Sequence, residues 1–202
     1  MKITFYGGAR EVTGANHLFE SNGVKILIDC GMFQGSRAFD EMNRNSFEYN
    51  PAEIDALFIT HAHVDHVNAL EGIRRAWPKI KTFIHKNEVF EGPQEFEEGM
   101  EFEIGTLKVE TRKTSGHSPG GTTYVVWGLE RPIAIVGDAL FAGSIGGAAH
   151  HYLEALKNNR AKIFSLPEET IVCPGHGPLT TVGEEKAHNP FFPEFKTKIV
   201  RG

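Results

Sequence analysis

Apolar and polar residues alternate from the start of the chain, and KITFYG (residues 2–7) reads as a strand. NHLFES (16–21) and VKILIDCG (24–31) follow as two more, parted by the turn residues Ser21, Asn22 and Gly23. The second of these is almost continuously apolar, the pattern of a strand buried on both faces. Residues 31–50 show no period and predict a long loop carrying one helical turn. Pro51 to Glu53 open a short helix, and ALFIT (56–60) is a buried strand. Val64, Val67, Leu70, Ile73 and Trp77 then recur at spacings of three and four, which predicts one helix ended by Pro78. KTFIH (81–85) is a strand, and the acidic stretch 86–100, with Gly92 and Pro93, predicts a loop. EFEIGTLKVETRKT (101–114) alternates around Gly105 as a hairpin would. TTYVVWG (122–128), PIAIVGD (132–138) and ETIVCPG (169–175) read as strands, with a helix over 151–159. Strands that precede helices in each half, mixed with hairpins, fit a layered α/β sandwich better than a single parallel sheet.

At 202 residues the chain can bury a core without disulfide staples and reads as a single domain over 1–202. Acidic residues outnumber basic ones, 26 to 21, for a net charge of −5, and that balance disfavours a surface that tracks phosphates. The expected partner is therefore a small-molecule substrate rather than nucleic acid. Cys30 and Cys173 form no CxxC pair, so neither a disulfide framework nor a zinc knuckle is suggested. Each, on or beside a strand, reads as a buried, inert thiol. MKITFYGGAR holds no apolar signal core and no run is long enough to cross a membrane, which makes a cytoplasmic location the expectation.

The chemistry concentrates where strands end. THAHVDH (60–66) sets His61, His63, Asp65 and His66 at the switch from strand to helix, a place where ligands gather in α/β proteins. SGHSPGG (115–121) holds His117, AIVGDALF ends a strand at Asp138, and VCPGHGP places His176 between glycines. Glycine in such loops lets backbone and ligand approach closely. These five imidazoles and two carboxylates are too many for one zinc-like ion and suit two divalent ions that share a carboxylate. Imidazole favours zinc, iron, nickel or copper, and the carboxylates broaden the choice to manganese; zinc is the first expectation, with iron or manganese as alternatives. A lone histidine is more often a cap or a core residue, which is how His17, His85 and His188 read. His150 and His151 read the same way, although they follow the Asp138 loop and could line a cleft.

In this ordered pattern, HxHxDH (61–66) followed by His117, Asp138 and His176, the chain resembles the metallo-β-lactamase superfamily. The resemblance implies a four-layer αβ/βα sandwich, an α+β fold, with metals at one edge. It implies that His61, His63 and His117 hold one metal, that Asp65, His66 and His176 hold the other, and that Asp138 bridges them. SGHSPGGTTYVV, GDALFAGSIGG and PGHGPLTTVGEEKAHNPFF look like short glyoxalase II-like hydrolases. GGAREVTGANHLFESNGVKILIDCGMFQG looks more like the β-CASP nucleases, in which the residue matching Asp29 supports the metal ligands from behind. Two departures qualify both likenesses. Over these 202 residues neither the β-CASP cap domain nor the glutathione-binding helical domain of full-length glyoxalase II is expected. Gly147 and Ala149 stand where a basic residue and an aromatic would hold glutathione.

Two such ions about 3.5–4 Å apart clamp a shared hydroxide that is available near neutral pH. The leading expectation is thus a metallo-hydrolase that cleaves a small ester or thioester. Asp65 serves as its catalytic residue, orienting the nucleophile and carrying a proton. A cleft wall is expected from 31–50, including Phe33, Gln34, Arg37, Phe39 and Tyr49, and from 143–151. Phosphodiester cleavage is the alternative within hydrolases. Another is persulfide oxidation at one iron held by His61, His117 and Asp138.

Overall fold

A computed structural model of the chain describes residues 2–7, 14–33, 41, 43 and 47–196. The first of its two six-stranded sheets runs in chain order: β1 (Lys2–Gly7), β2 (Asn16–Ser21), β3 (Val24–Ile28), β4 (Ala56–Phe58), β5 (Lys81–His85) and β6 (Gln94–Phe96). β1 to β3 form an antiparallel meander, and β3 to β6 are parallel. The second sheet comprises β7 (Glu101–Ile104), β8 (Leu107–Lys113), β9 (Thr122–Trp127), β10 (Ile133–Gly137), β11 (Ile171–Pro174) and β12 (Thr180–Thr181). Its one parallel pair is β10 with β11. Beside the sheets lie the short α-helices α1 (Val64–Val67), α2 (Leu70–Ala76), α3 (Tyr152–Asn158) and α4 (Val182–His188), with 3-10 turns at Pro51–Glu53, where a short helix was expected, and at Pro193–Phe195.

Alternation along the strands builds the layers. Ile26, Ile28, Ala56 and Phe58 point from the first sheet toward Val109, Tyr124, Val126 and Ile135 of the second, forming the central core. Leu27, Leu57 and Ile59 face the other way, against Val67, Leu70 and Ile73 of α1 and α2. On the far side, Ala134, Val136 and Val172 pack with Leu156, Ile163, Phe164, Val182 and Phe192. The order is helix, sheet, sheet, helix, the metallo-β-lactamase fold that the resemblance implies. The central strands β4 and β10 are buried on both faces, which is why their sequence runs are apolar without a break, whereas β8 alternates.

The structure departs from the sequence reading at several elements. The helix expected from Val64 to Trp77 is broken at Asn68 and Ala69. A tertiary insertion causes the break: Ala15 N–H takes the Asp65 carbonyl, Cys30 N–H takes that of His66, and Ala69 N–H turns to Cys30. The acidic stretch read as a loop contains β6, which pairs with β5. No element was expected after residue 175, yet α4 forms there, and Thr181 caps it by accepting from Glu184 N–H at 3.1 Å. The helix expected over 151–159 becomes α3 followed by a π turn at Asn159–Ile163. Gln34, Arg37 and Phe39 lie outside the described residues.

Candidate metal centre

All seven donors lie at strand ends on one edge of the sandwich. β4 leads through Thr60 into His61 and His63, and α1 opens on Asp65 and His66. His117 comes from the loop between β8 and β9, Asp138 follows β10, and His176 follows β11. Their ligand atoms form three groups within which every atom lies within 4.8 Å of the others: His61, His63 and His117; His61, His66 and Asp138; and Asp65, His66 and His176. Asp138 touches both sides, with Oδ1 3.4 Å from His66 Nε2 and Oδ2 3.5 Å from His117 Nε2 and 3.3 Å from His176 Nε2. Asp65 Oδ2 lies 3.0 Å from His176 Nε2. Gly175 makes this crowding possible, since a Cβ there would sit 2.4 Å from Asp138 Oδ1 and 2.7 Å from His66 Cε1.

A layer of acceptors fixes the ring nitrogens that face away from the cluster. Asp29, fully buried at φ 60°, accepts Thr60 N–H and the Thr60 hydroxyl, both at 2.7 Å, and His66 Nδ1–H at 2.8 Å. With its proton given to Asp29, the Thr60 hydroxyl is left to accept from His61 Nδ1, 3.1 Å away. His117 Nδ1 donates to the Gly147 carbonyl at 2.8 Å. This pattern leaves the opposite nitrogens free for a ligand. Among the described residues, His61 Nε2, His66 Nε2 and Asp138 Oδ1 are buried without a hydrogen-bond partner. Orphaned donors and acceptors are rare inside proteins, and these three belong to residues of one group. His63 Nδ1 and His117 Nε2 face each other at 3.0 Å. The donor set, imidazole nitrogens with a few carboxylate oxygens, therefore fits divalent cations such as zinc or iron.

The electrostatics separate the histidines. Burial, then the neighbouring His66, hold His61 well below the usual imidazole range, and burial, then His117, lower His63. Burial would lower His66 too, but Asp29 and Asp138 outweigh it and raise its pKa to about 10. His176 rises to about 9 because Asp138 and Asp65 outweigh its burial. Burial would raise both carboxylates. His176 and His66 reverse that and hold Asp65 and Asp138 below the ordinary range.

The other candidates stay out of the cluster. His85 is buried, accepts Asn87 N–H at 3.1 Å and packs on Phe96. His188 lies exposed beside Glu184, and His17 is buried against Phe5. His151 is exposed, with Nδ1 3.3 Å from Glu154. Tyr49 packs on Tyr6 and Phe47 and accepts from Asn16, closing the helix side of the first sheet. Both thiols are buried and free, and burial pushes Cys173 up to about 12.

Two acids that the sequence reading missed also brace the site. Glu88 accepts from Ala62 N–H and Gly120 N–H, and Glu185 accepts from Gly143 N–H, the Thr180 hydroxyl and the Asn189 amide. Glu88 falls in the stretch 86–100 that reads as a loop, and Glu185 lies past the last expected element. For Glu185 one signal was present, the Thr181-x-x-Glu184 pattern that starts a helix.

Two facing mixed sheets, helices outside them and a histidine–aspartate cluster at the strand ends define a metal-dependent hydrolase architecture. The chain belongs to the metallo-beta-lactamase superfamily, whose sequence profile matches residues 11–176. It is 36% identical over 166 residues to the probable metallo-hydrolase YqgX of Bacillus subtilis, covering 69% of this chain and 76% of that one. It is 34% identical over 165 residues to ribonuclease TTHA0252 of Thermus thermophilus, covering 68% of this chain but only 38% of the ribonuclease. The solved structure of TTHA1623 in a di-iron-bound form superposes with a TM-score of 0.67 at 25% identity, over 95% of this chain and 100% of that one. More distant matches include hydroxyacylglutathione hydrolase GloC of Haemophilus influenzae, 27% identical, and human persulfide dioxygenase ETHE1, 29% identical. Among the described residues no helix is long and apolar enough to cross a membrane.

Proposed function

We propose that the chain, acting as one domain over residues 1–202, hydrolyses a small ester or thioester with two divalent cations, zinc being the first choice. His61, His63 and His117 would hold one cation, Asp65, His66 and His176 the other, with Asp138 between them. The observation that carries this reading is the set of orphaned buried atoms, His61 Nε2, His66 Nε2 and Asp138 Oδ1, within a cluster of seven donors. Such cations supply a water-derived nucleophile near neutral pH and a Lewis acid for the substrate oxygen.

The chain's own residues do the rest. Asp29 aims His66 directly and His61 through Thr60. Asp65, kept ionised by its neighbours and partly open to solvent, orients the attacking water and carries its proton toward the leaving group. Water adds to the acyl carbon, the bond to oxygen or sulfur breaks, and the leaving alcohol or thiol takes up the proton. Two free, buried cysteines suit a reducing compartment such as the cytoplasm.

Turnover of thioester, lactone and bis-p-nitrophenyl phosphate substrates by the metal-loaded chain tests the reading. Thioester or lactone cleavage should dominate, and Asp65→Ala should lower kcat at least about a hundredfold, the scale of a lost general acid or base. Dominant phosphodiester cleavage would move the assignment toward the ribonuclease relative. Oxygen uptake on a persulfide with one iron per chain would replace hydrolysis altogether.

A further inference from the structure

Glu88 is a buried carboxylate outside the seven donors, 6% exposed, in the turn that leaves β5. Its two oxygens accept from two different loops: Oε2 from Ala62 N–H at 2.9 Å, and Oε1 from Gly120 N–H at 2.7 Å. Ala62 sits between His61 and His63, and Gly120 lies three residues past His117. One side chain therefore grips both loops that supply the all-histidine group. Its own backbone is pinned, since Glu88 N–H donates to the His85 carbonyl at 2.9 Å. Gly120 leaves room for it, as a Cβ there would lie 2.8 Å from Glu88 Cγ and 2.9 Å from Glu88 N. A second tie, Thr122 N–H to the Thr60 carbonyl at 3.0 Å, joins the strand ends but reaches neither histidine loop beyond Thr60.

The side-chain hydrogen bonds of Glu88 among the described residues go to these two backbone amides, one on each loop. Both loops that it joins lead to the His61, His63 and His117 group. We propose that Glu88 is a positioning residue for this three-histidine group, setting the spacing of the two loops and tightening a cation held there. The inference rests on the metal-centre reading above and deepens it.

The test is chelator-competition titration of the full chain with zinc, for wild type, Glu88→Gln, Gly120→Ala and the double variant. Glutamine keeps the shape but sets an amide against one N–H donor, and alanine at 120 pushes the acid away. Each single variant should weaken one cation equivalent about 10–100-fold, the usual effect of removing support behind a ligand, and leave the other equivalent within about threefold. The double variant should be no weaker than Glu88→Gln alone, because both changes break one contact. In a His176→Ala background, the remaining equivalent should show the whole loss. Amide exchange at Ala62 and Gly120, measured without metal, should quicken in Glu88→Gln. Wild-type affinity for both equivalents in Glu88→Gln, or equal weakening of both, would overturn the proposal. If wild type binds no zinc, the metal-centre reading fails, and the amide exchange alone then decides whether Glu88 holds the loops. Should Glu88→Gln fail to fold, the Gly120→Ala titration decides by the same criteria.

Discussion

Asp29 shows how much one residue can carry. It adopts φ 60°, a left-handed conformation that most side chains avoid and that aspartate tolerates better than most. The strain is repaid by three hydrogen bonds that align His66 directly and His61 through Thr60. Asp29→Asn keeps the shape but loses an acceptor, and should lower metal affinity about 10–100-fold in chelator competition; unchanged affinity would remove its role. His17 gives a separate prediction. Burial holds its pKa at about 4 instead of 6.5, and among the described residues neither ring nitrogen has a hydrogen-bond partner. The unfolded chain therefore binds a proton between pH 6.5 and 4 that the folded chain refuses. The resulting stability is complete above pH 6.5 and falls by about 3 kcal/mol as pH drops to 4. Urea denaturation of His17→Leu should show a shallower loss between pH 7 and 4.5 than wild type; parallel curves would mean that His17 is not buried neutral. At this scale the histidine pattern was legible because imidazoles at short spacing carry their chemistry openly. Glu88 was not, since its partners Ala62 and Gly120 lie 26 and 32 residues away, and Glu185 binds Gly143 from 42 residues away.

Elements were legible where local pattern and tertiary context agreed. β9 and β10 lie where their apolar runs put them, because both faces are buried along their whole length. The run from Val64 to Trp77 has helical spacing throughout, but periodicity says nothing of the carbonyls that Ala15 and Cys30 capture. That capture ends α1 early and leaves the Asp65 and His66 side chains turned to the cluster. β6 escaped notice because three residues, Gln94 to Phe96, bury one side chain and show no period. α4 depends on its cap. Thr181→Ala should cost about 1 kcal/mol in denaturant unfolding by removing the acceptor for Glu184 N–H. A loss near zero would show that the buried Glu185 network alone holds the helix.

For the whole molecule, composition allowed a layered sandwich, and the ordered donors named one. The pairing of strands into two sheets is a long-range property that no single segment announces. Its consequence is the convergence of His61, His117, Asp138 and His176, up to 115 residues apart, on one edge. The fold, the family and the hydrolase class rest on that convergence. The most direct measurement is an anomalous diffraction map, recorded at the metal's absorption edge, from crystals of the metal-loaded chain. Two peaks are predicted, one against His61, His63 and His117 and one against Asp65, His66 and His176, with an Asp138 oxygen between them. Peaks confined to the outer surface, or none at all, with the seven side chains bonded only to one another, would contradict the account.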